Sequence, residues 1–291
     1  MDTIKDIAII FISIFFESLP FLLLGSFLSS LIEVFVSEEA IEKLIPKNKV
    51  LGSLVGVVLG FFIPACDCAV IPVSRRLLKK KVPINVAISF MLASPIINPV
   101  VLLSTYQAFY KTNPEIFWYR FILGIIIALI VGIIMGIIFS KKDVIVSNKE
   151  ECLCEVHHHK SRVVEVIIHT AIDTFDVLKY LMFGALIASL VEVLLPRNIL
   201  ILFNDNLAFA IITLMLFAYL MSLCSTSDSF VGKSLLSIFS KKSIMAYLLL
   251  GPMIDIKNTI VLLGNYKKSF VFTLVFLIFI VIFISSLVVP L

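Results

Sequence analysis

Residues 63–106 read IPACDCAVIPVSRRLLKKKVPINVAISFMLASPIINPVVLLSTY. Two apolar segments in this stretch are broken by proline and small polar residues, first at Pro64-Ala-Cys-Asp-Cys68 and then at Ser94-Pro-Ile-Ile-Asn-Pro99. Between them stand Arg75, Arg76, Lys79, Lys80 and Lys81. Proline removes an amide donor and bends a helix. At membrane depth such irregular backbone survives only where it is buried in protein or lines a polar cavity. Paired broken helices aim half-helix ends at a solute near the midplane. The stretch therefore predicts a solute site framed by two interrupted helices.

The pattern recurs downstream. Ser222-Leu-Cys-Ser-Thr-Ser-Asp-Ser229 stands in the place of the first break, Lys233, Lys241 and Lys242 form the basic turn, and Gly251-Pro-Met-Ile-Asp255 replaces the second break. Upstream, FLLLGSFLSSLIEV (21–34) aligns without gaps to YLMFGALIASLVEV (180–193). The alignment pairs Gly25 with Gly184, Glu33 with Glu192 and, extended back, Glu17 with Asp176. Two homologous halves are expected to face one another across a shared site.

Of the 291 residues, 60% are hydrophobic and 15% charged, and mean hydropathy is +1.11. Soluble domains are nearer half apolar and a quarter charged, so a polytopic, all-α membrane protein is expected. The basic residues sit between apolar runs, which argues against nucleic acid as a partner. No cleavable leader is expected, because the first apolar run is long and follows Asp2 and Asp6. Five cysteines, an odd number arranged partly as two Cys-x-Cys pairs, do not suggest a disulfide framework.

In order, the apolar runs predict about eight transmembrane helices in two four-helix halves: 7–36, 50–78, 82–110 and 116–139, then 163–195, 207–236, 244–263 and 270–291. The second and third of each half are the broken ones. This divides the chain into a first repeat (1–140), a hydrophilic linker (141–162) and a second repeat (163–291). Eight spans place both termini, both basic turns and the linker on one face, with 14 Lys and Arg against 8 on the other. Positive-inside bias then makes that face cytoplasmic and the two repeats parallel. The Gly132-x-x-x-Gly136 spacing allows close helix packing.

Cys66-Asp67-Cys68 is the sharpest chemical feature. Two thiols beside a carboxylate at a helix break suit a soft metal or metalloid, since thiolates select such ions. Cysteine also serves as a small buried hydrophobe, but an ionisable residue at membrane depth marks function. Cys224 and Asp228, in the matching break, are candidate partners across the pseudo-axis. Ser94, Asn98, Asp255 and Asn258 either contact solute or satisfy backbone freed by the prolines. Glu17 and Asp176 are candidate proton-coupling carboxylates, with simple solvation as the alternative. In the linker, Cys152 and Cys154 beside His157, His158 and His159 form a candidate soft-metal site, for capture or sensing, against the alternative of a solvated loop. No phosphate-binding loop, dinucleotide pattern or His-Glu-x-x-His is present. A transporter without a resident cofactor, other than metal at the linker, is expected rather than an enzyme.

At Cys66-Asp-Cys68-Ala-Val-Ile-Pro72, the basic turn and Ala93-Ser-Pro-Ile-Ile-Asn-Pro99, the chain resembles the bacterial predicted-permease family of YraQ-like proteins and ArsP-like organoarsenical efflux permeases. The resemblance covers nearly the whole length. It implies a multi-pass inner-membrane permease, and the ArsP-like cysteine pair falls on Cys66 and Cys68. Asp67 and the Ser94-to-Pro99 motif resemble the YraQ-like branch more closely. The leading expectation is a secondary permease exporting a small thiophilic solute, such as a trivalent arsenical, by rocking one half against the other. The alternatives are a thiol-redox protein cycling Cys66 and Cys68, and a non-transporting subunit that anchors an accessory partner.

Overall fold

The structure, a computed structural model, describes residues 2–35, 45, 46, 48–63, 66–139, 144, 145, 162–194 and 206–290. These residues fold as α-helices with no named strand among them. The first six are α1 (Asp2–Phe35), α2 (Lys49–Phe62), α3 (Asp67–Lys79), α4 (Ile84–Ile97), α5 (Pro99–Phe109) and α6 (Pro114–Ile138). The second six are α7 (Arg162–Leu194), α8 (Leu207–Met221), α9 (Ser227–Leu235), α10 (Lys241–Met253), α11 (Ile256–Asn265) and α12 (Lys268–Val288).

Both sets run in the same order: one long helix, two pairs of half-length helices, one long helix. Even the caps repeat. Asn48 accepts from the Val50 amide at the start of α2, and Asn206 from the Ala208 amide at the start of α8. Asn98 accepts from Val101 at the start of α5, and Asp255 from Asn258 at the start of α11. Each capping oxygen satisfies an amide that a new helix leaves orphaned.

The first break in each half reverses the chain. Asn85 Nδ2 donates to the Lys49 carbonyl at 2.8 Å, near the starts of α4 and α2, and Ser94 Oγ donates to the Ile63 carbonyl at 3.1 Å, near their ends. The two helices thus run parallel. α3 returns antiparallel to α4, with Ser74 against Met91 and the turn 80–83 joining them. α2 and α3 are therefore a re-entrant hairpin with α4 between its arms. Fourteen residues of helix reach only about 21 Å, short of the roughly 30 Å hydrocarbon core. In the second half, Gly251 meets Asp228 while Gly232 meets Leu248 and Ile244, so α9 runs antiparallel to α10. Phe217 stacks on Tyr247 and Tyr219 reaches Thr259, so α8 runs parallel to α10. Ser222, left-handed at φ 48°, turns the chain after α8.

This corrects the eight-span expectation. Among the described residues, six helices are long and apolar enough to cross a membrane: 4–35, 84–109, 114–138, 163–194, 241–265 and 268–288. The second break of each half, at Asn98 and at 254–255, leaves one crossing in two pieces. The helices of 50–78 and 207–236 are too short to span singly and, by their contacts, pair as hairpins. Run length and hydropathy are the same for a broken span and a hairpin, so only contacts separate them.

The correction also changes the faces. Three crossings per half bring the start of α7 to the face opposite the start of α1, so the second set of helices runs inverted rather than parallel. The contacts agree. Ser29 meets Asp173 while Ile14 packs on Ala185 and Ala188, an antiparallel α1–α7 pair. At one face, here the linker face, Lys267 N bonds the Val144 carbonyl and Ile145 bridges Tyr266. At the other, the terminal face, Lys241 pairs with Glu115 and Lys242 donates to the Leu287 carbonyl. The linker and the first basic turn therefore share one face, and both termini and the second turn share the other.

α4 forms the centre of the first half and is buried from Asn85 to Ile97. Gly56 and Gly60 of α2 lie directly on its backbone and Gly52 against the Asn85 and Val86 side chains, while Gly124, Gly132 and Gly136 of α6 abut it at Ile96, Ser89 and Asn85. Small residues let helix backbones approach where lipid supplies no hydrophobic drive. Outward faces are apolar, with Ile9, Phe16, Phe27, Phe183 and Phe276 exposed. Tyr106, Tyr110, Phe117 and Trp118 form a ring cluster near the terminal face, where amphipathic rings suit the interface.

Candidate functional site

The tips of the two hairpins meet inside the bundle. A pocket of about 250 Å³ is lined by Glu17, Ser18 and Phe21 of α1, Cys66, Asp67 and Cys68 of the first tip, Cys224 of the second, and Lys257 of α11. Helix N-termini converge there, since α3 starts at Asp67, α9 at Ser227 and α11 at Ile256. Their partial positive charge favours anionic groups.

Asp67 holds the tip in place. Its Oδ2 accepts from Asn258 Nδ2 at 2.8 Å and lies 3.6 Å from Lys257 Nζ. Lys257 Nζ is also 3.7 Å from Asp255 Oδ2. Asp67, Asp255, Lys257 and Asn258 are all buried. A charge removed from water needs such partners. Cys68 Sγ lies 3.8 Å from Asn258 Oδ1. Ligand atoms of Cys66, Asp67 and Cys68 all fall within 4.8 Å of one another, a spacing that one metal or metalloid centre can bridge. All three thiols are free, Cys68 buried and Cys66 and Cys224 half-buried. On the far side of Asp67, a second space of about 230 Å³ lies among Val70, Met91, Pro95, Pro252 and Met253.

The structure thus brings together Glu17, Cys66, Asp67, Cys68, Cys224, Asp255 and Asn258. It takes the other candidates elsewhere. Asn98 caps α5 and donates to the Ser94 carbonyl, and Ser94 bonds the Ile63 carbonyl; both satisfy backbone at the breaks. Asp228 accepts from Tyr247 Oη at 3.1 Å and does not line the pocket. Asp176 pairs with Lys179 at 3.1 Å and lies 4.0 Å from Arg75, far along α7 from Glu17's neighbours. Glu17 and Asp176 therefore do not occupy equivalent sites. Cys152, Cys154, His157, His158 and His159 lie outside the described residues.

Four cations that read in sequence as loop residues or as part of a plain apolar run are buried: Arg75, Arg76, Arg120 and Lys257. Lys257 is the most important, and its signal was present: an ionisable residue inside a span, two positions from Asp255. Arg76 is buried too, bidentate on Asp173 at 2.8 and 3.1 Å and 3.3 Å from Glu33. Arg120 is fully buried on α6, donating to Thr105 at 2.7 Å and Ser229 at 2.8 Å. It ties α6 to α5 and α9 and is no loop residue.

Comparison with known proteins decides the family, because residues 3–291 match the one described as a predicted permease. The chain belongs to that family. This predicted permease is 40% identical over 281 residues to UPF0718 protein YcgR of Bacillus subtilis (strain 168), covering 96% of this chain and 95% of that protein. It is 38% identical over 265 residues to a protein of Streptococcus mutans serotype c whose name assigns it, provisionally, to a two-component membrane permease complex. That match covers 90% of this chain and 87% of the relative. No solved structure matches. Membership in the permease family, together with six helices of spanning length among the described residues, marks a multi-pass membrane protein and points to a transporter rather than an enzyme.

Proposed function

We propose that the chain is a secondary permease that binds a small, soft, thiol-reactive solute at Cys66, Cys68 and Cys224 and exports it. The observation that carries this reading is the convergence of three cysteines and Asp67 from two oppositely inserted hairpin tips into one pocket. Structural cysteines have no need to meet there. In this reading Asp67 and Asn258 hold the tip, Lys257 balances Asp67 and Asp255, and Glu17 is the carboxylate placed to exchange a proton with the pocket. Residues 1–140 and 163–291 act as inverted repeats about that site. A trivalent arsenical and a soft metal ion are both within the solute class. The linker cysteines and histidines would capture the same solute.

The corrected faces also reverse the expected orientation. Connections and the helix ends beside them carry 15 Lys and Arg at the linker face, against 6 at the terminal face. Positive-inside bias then puts the linker in the cytoplasm and both termini outside the cell membrane. Alkaline phosphatase fused after Leu291 should be active, and fused within the linker inactive.

The solute reading is tested by cellular accumulation of phenylarsine oxide, Cd²⁺ and Cu⁺ with and without the protein. Expression should lower accumulation of at least one of them, and Cys66→Ser or Cys68→Ser should remove the effect. Unchanged accumulation of all three would refute it. A second reading follows from the Streptococcus mutans relative's name: the chain works as one subunit of a two-part permease. Co-purification of a second membrane protein needed for export would favour it.

A further inference from the structure

α1 and α7 pack against each other along most of their length. As a pair they sit on α3 and α11, which both run from the centre to the linker face. A Cβ on Gly25 would lie 2.7 Å from Ala69, and one on Gly184 3.0 Å from the Lys257 carbonyl. Tyr180 covers Gly264, and Ser29 Oγ donates to the Pro72 carbonyl at 3.4 Å. Charges fasten this end. Arg76 grips Asp173 and Glu33, and Lys80 Nζ donates to the Glu33 carbonyl at 2.7 Å.

By helix order, the counterpart of α3 is α9 and that of α11 is α5. These two run from the centre to the terminal face and touch each other. Among the described residues, no packing of comparable extent joins α1 or α7 to either, although α7 touches α8. The interior pairs behave differently: α2–α4 recurs as α8–α10, α4–α6 as α10–α12, and α3–α4 as α9–α10. Interior packing thus follows the repeat, whereas the α1–α7 pair obeys it on one side only. Its packing stops beside the pocket, where Glu17, Ser18 and Phe21 stand on the terminal side of Gly25.

We propose that α1 and α7 form a gate that moves as one body over a fixed core. In the arrangement described, the gate seals the pocket toward the linker face. In the exchanged arrangement α1 leaves α3 for α5, α7 leaves α11 for α9, and the pocket opens toward the linker face instead. Inverted repeats make the two arrangements alike in plan, so a modest bias selects between them. The moving body is this helix pair, not one half against the other. The inference rests on the transport reading above.

The test reads access rather than transport. The full chain carries Cys152→Ser and Cys154→Ser, in vesicles of each orientation, and is probed with a membrane-impermeant maleimide at Cys66 and Cys224. Labelling from the terminal face should dominate. Gly25→Val, a wedge between α1 and α3, and Arg76→Gln, which loosens the fastening, should each move the ratio toward linker-face labelling by about tenfold or more. Gly56→Val, in the fixed core, should instead deplete the protein from the membrane. The proposal is overturned if both gate variants stay folded and label as the parent does. It is equally overturned if Gly25→Val is depleted as Gly56→Val is, because the α1–α3 contact would then be permanent. Loss of solute export with the labelling exchange intact would fault the solute assignment and leave the gate standing.

Discussion

Replacing Lys257 with methionine keeps the length of the side chain and removes its charge. Lys257 Nζ lies 3.6 Å from Asp67 and 3.7 Å from Asp255. At an effective dielectric of about 20, each attraction amounts to roughly 4–5 kcal/mol before desolvation is counted. Asp67 retains Asn258 as a partner, and Asp255 retains the Asn258 amide. Stranding buried charge in this way costs about 3–5 kcal/mol net. In detergent, that corresponds to a fall in unfolding temperature on the order of 10 °C. Adding Asp255→Asn removes the most enclosed carboxylate while preserving a side-chain oxygen to cap α11. The double variant should therefore recover to within about 2 kcal/mol of the parent, a coupling that neither single change predicts. A thermal-melt series over the four proteins checks it. If Lys257→Met shifts the melt by less than about 2 °C, or if Asp255→Asn makes matters worse on top of it, the charge cluster does not hold the site together.

Gly56→Val places a side chain against the Val86 carbonyl and the Phe90 amide, and overpacking of about 3 kcal/mol or more should appear as little membrane-inserted protein on an immunoblot. Gly251→Ala sets a methyl 2.7 Å from Asp228 Oδ2; a melt lowered by about 1–3 kcal/mol is expected, largely relieved by Asp228→Ser. Cys224→Ser should weaken solute binding without abolishing it, measured by titrating phenylarsine oxide against free thiols, since the Cys66–Cys68 pair survives. If the linker captures metal, its Cd²⁺ affinity at equilibrium dialysis should fall as pH drops through about 6.5, because histidine must shed a proton to bind. Replacing Cys152, Cys154, His157, His158 and His159 together should remove that pH-dependent capture and leave export in place.

Much of the candidate pocket's lining was readable from residue type and place. A carboxylate between two thiols at a proline break has few structural uses at membrane depth, and Cys66, Asp67, Cys68 and Cys224 do share one pocket. Asn98 shows the limit. It sits beside prolines as a solute contact would, yet its side chain is spent on the α5 amide and the Ser94 carbonyl. Glu17 and Asp176 align in sequence but not in environment, because the α1–α7 pair leans toward one face only. Lys257 carries the signal of an ionisable residue inside an apolar run, but its two carboxylate partners, one from the other half, appear only in the fold.

The sequence by itself determined that the chain is an all-helical membrane protein, that its plan repeats, and that cysteines and a carboxylate stand at the breaks. Those properties follow from composition and local backbone chemistry, which act within a few residues. Only the tertiary structure decided that the first break of each half turns back while the second carries on. Hydropathy is blind to direction, and reversal depends on what each arm packs against: α2 lies along α4 because Gly52, Gly56 and Gly60 admit its backbone. That one choice reduces eight crossings to six, inverts one half against the other and moves the linker to the face opposite the termini.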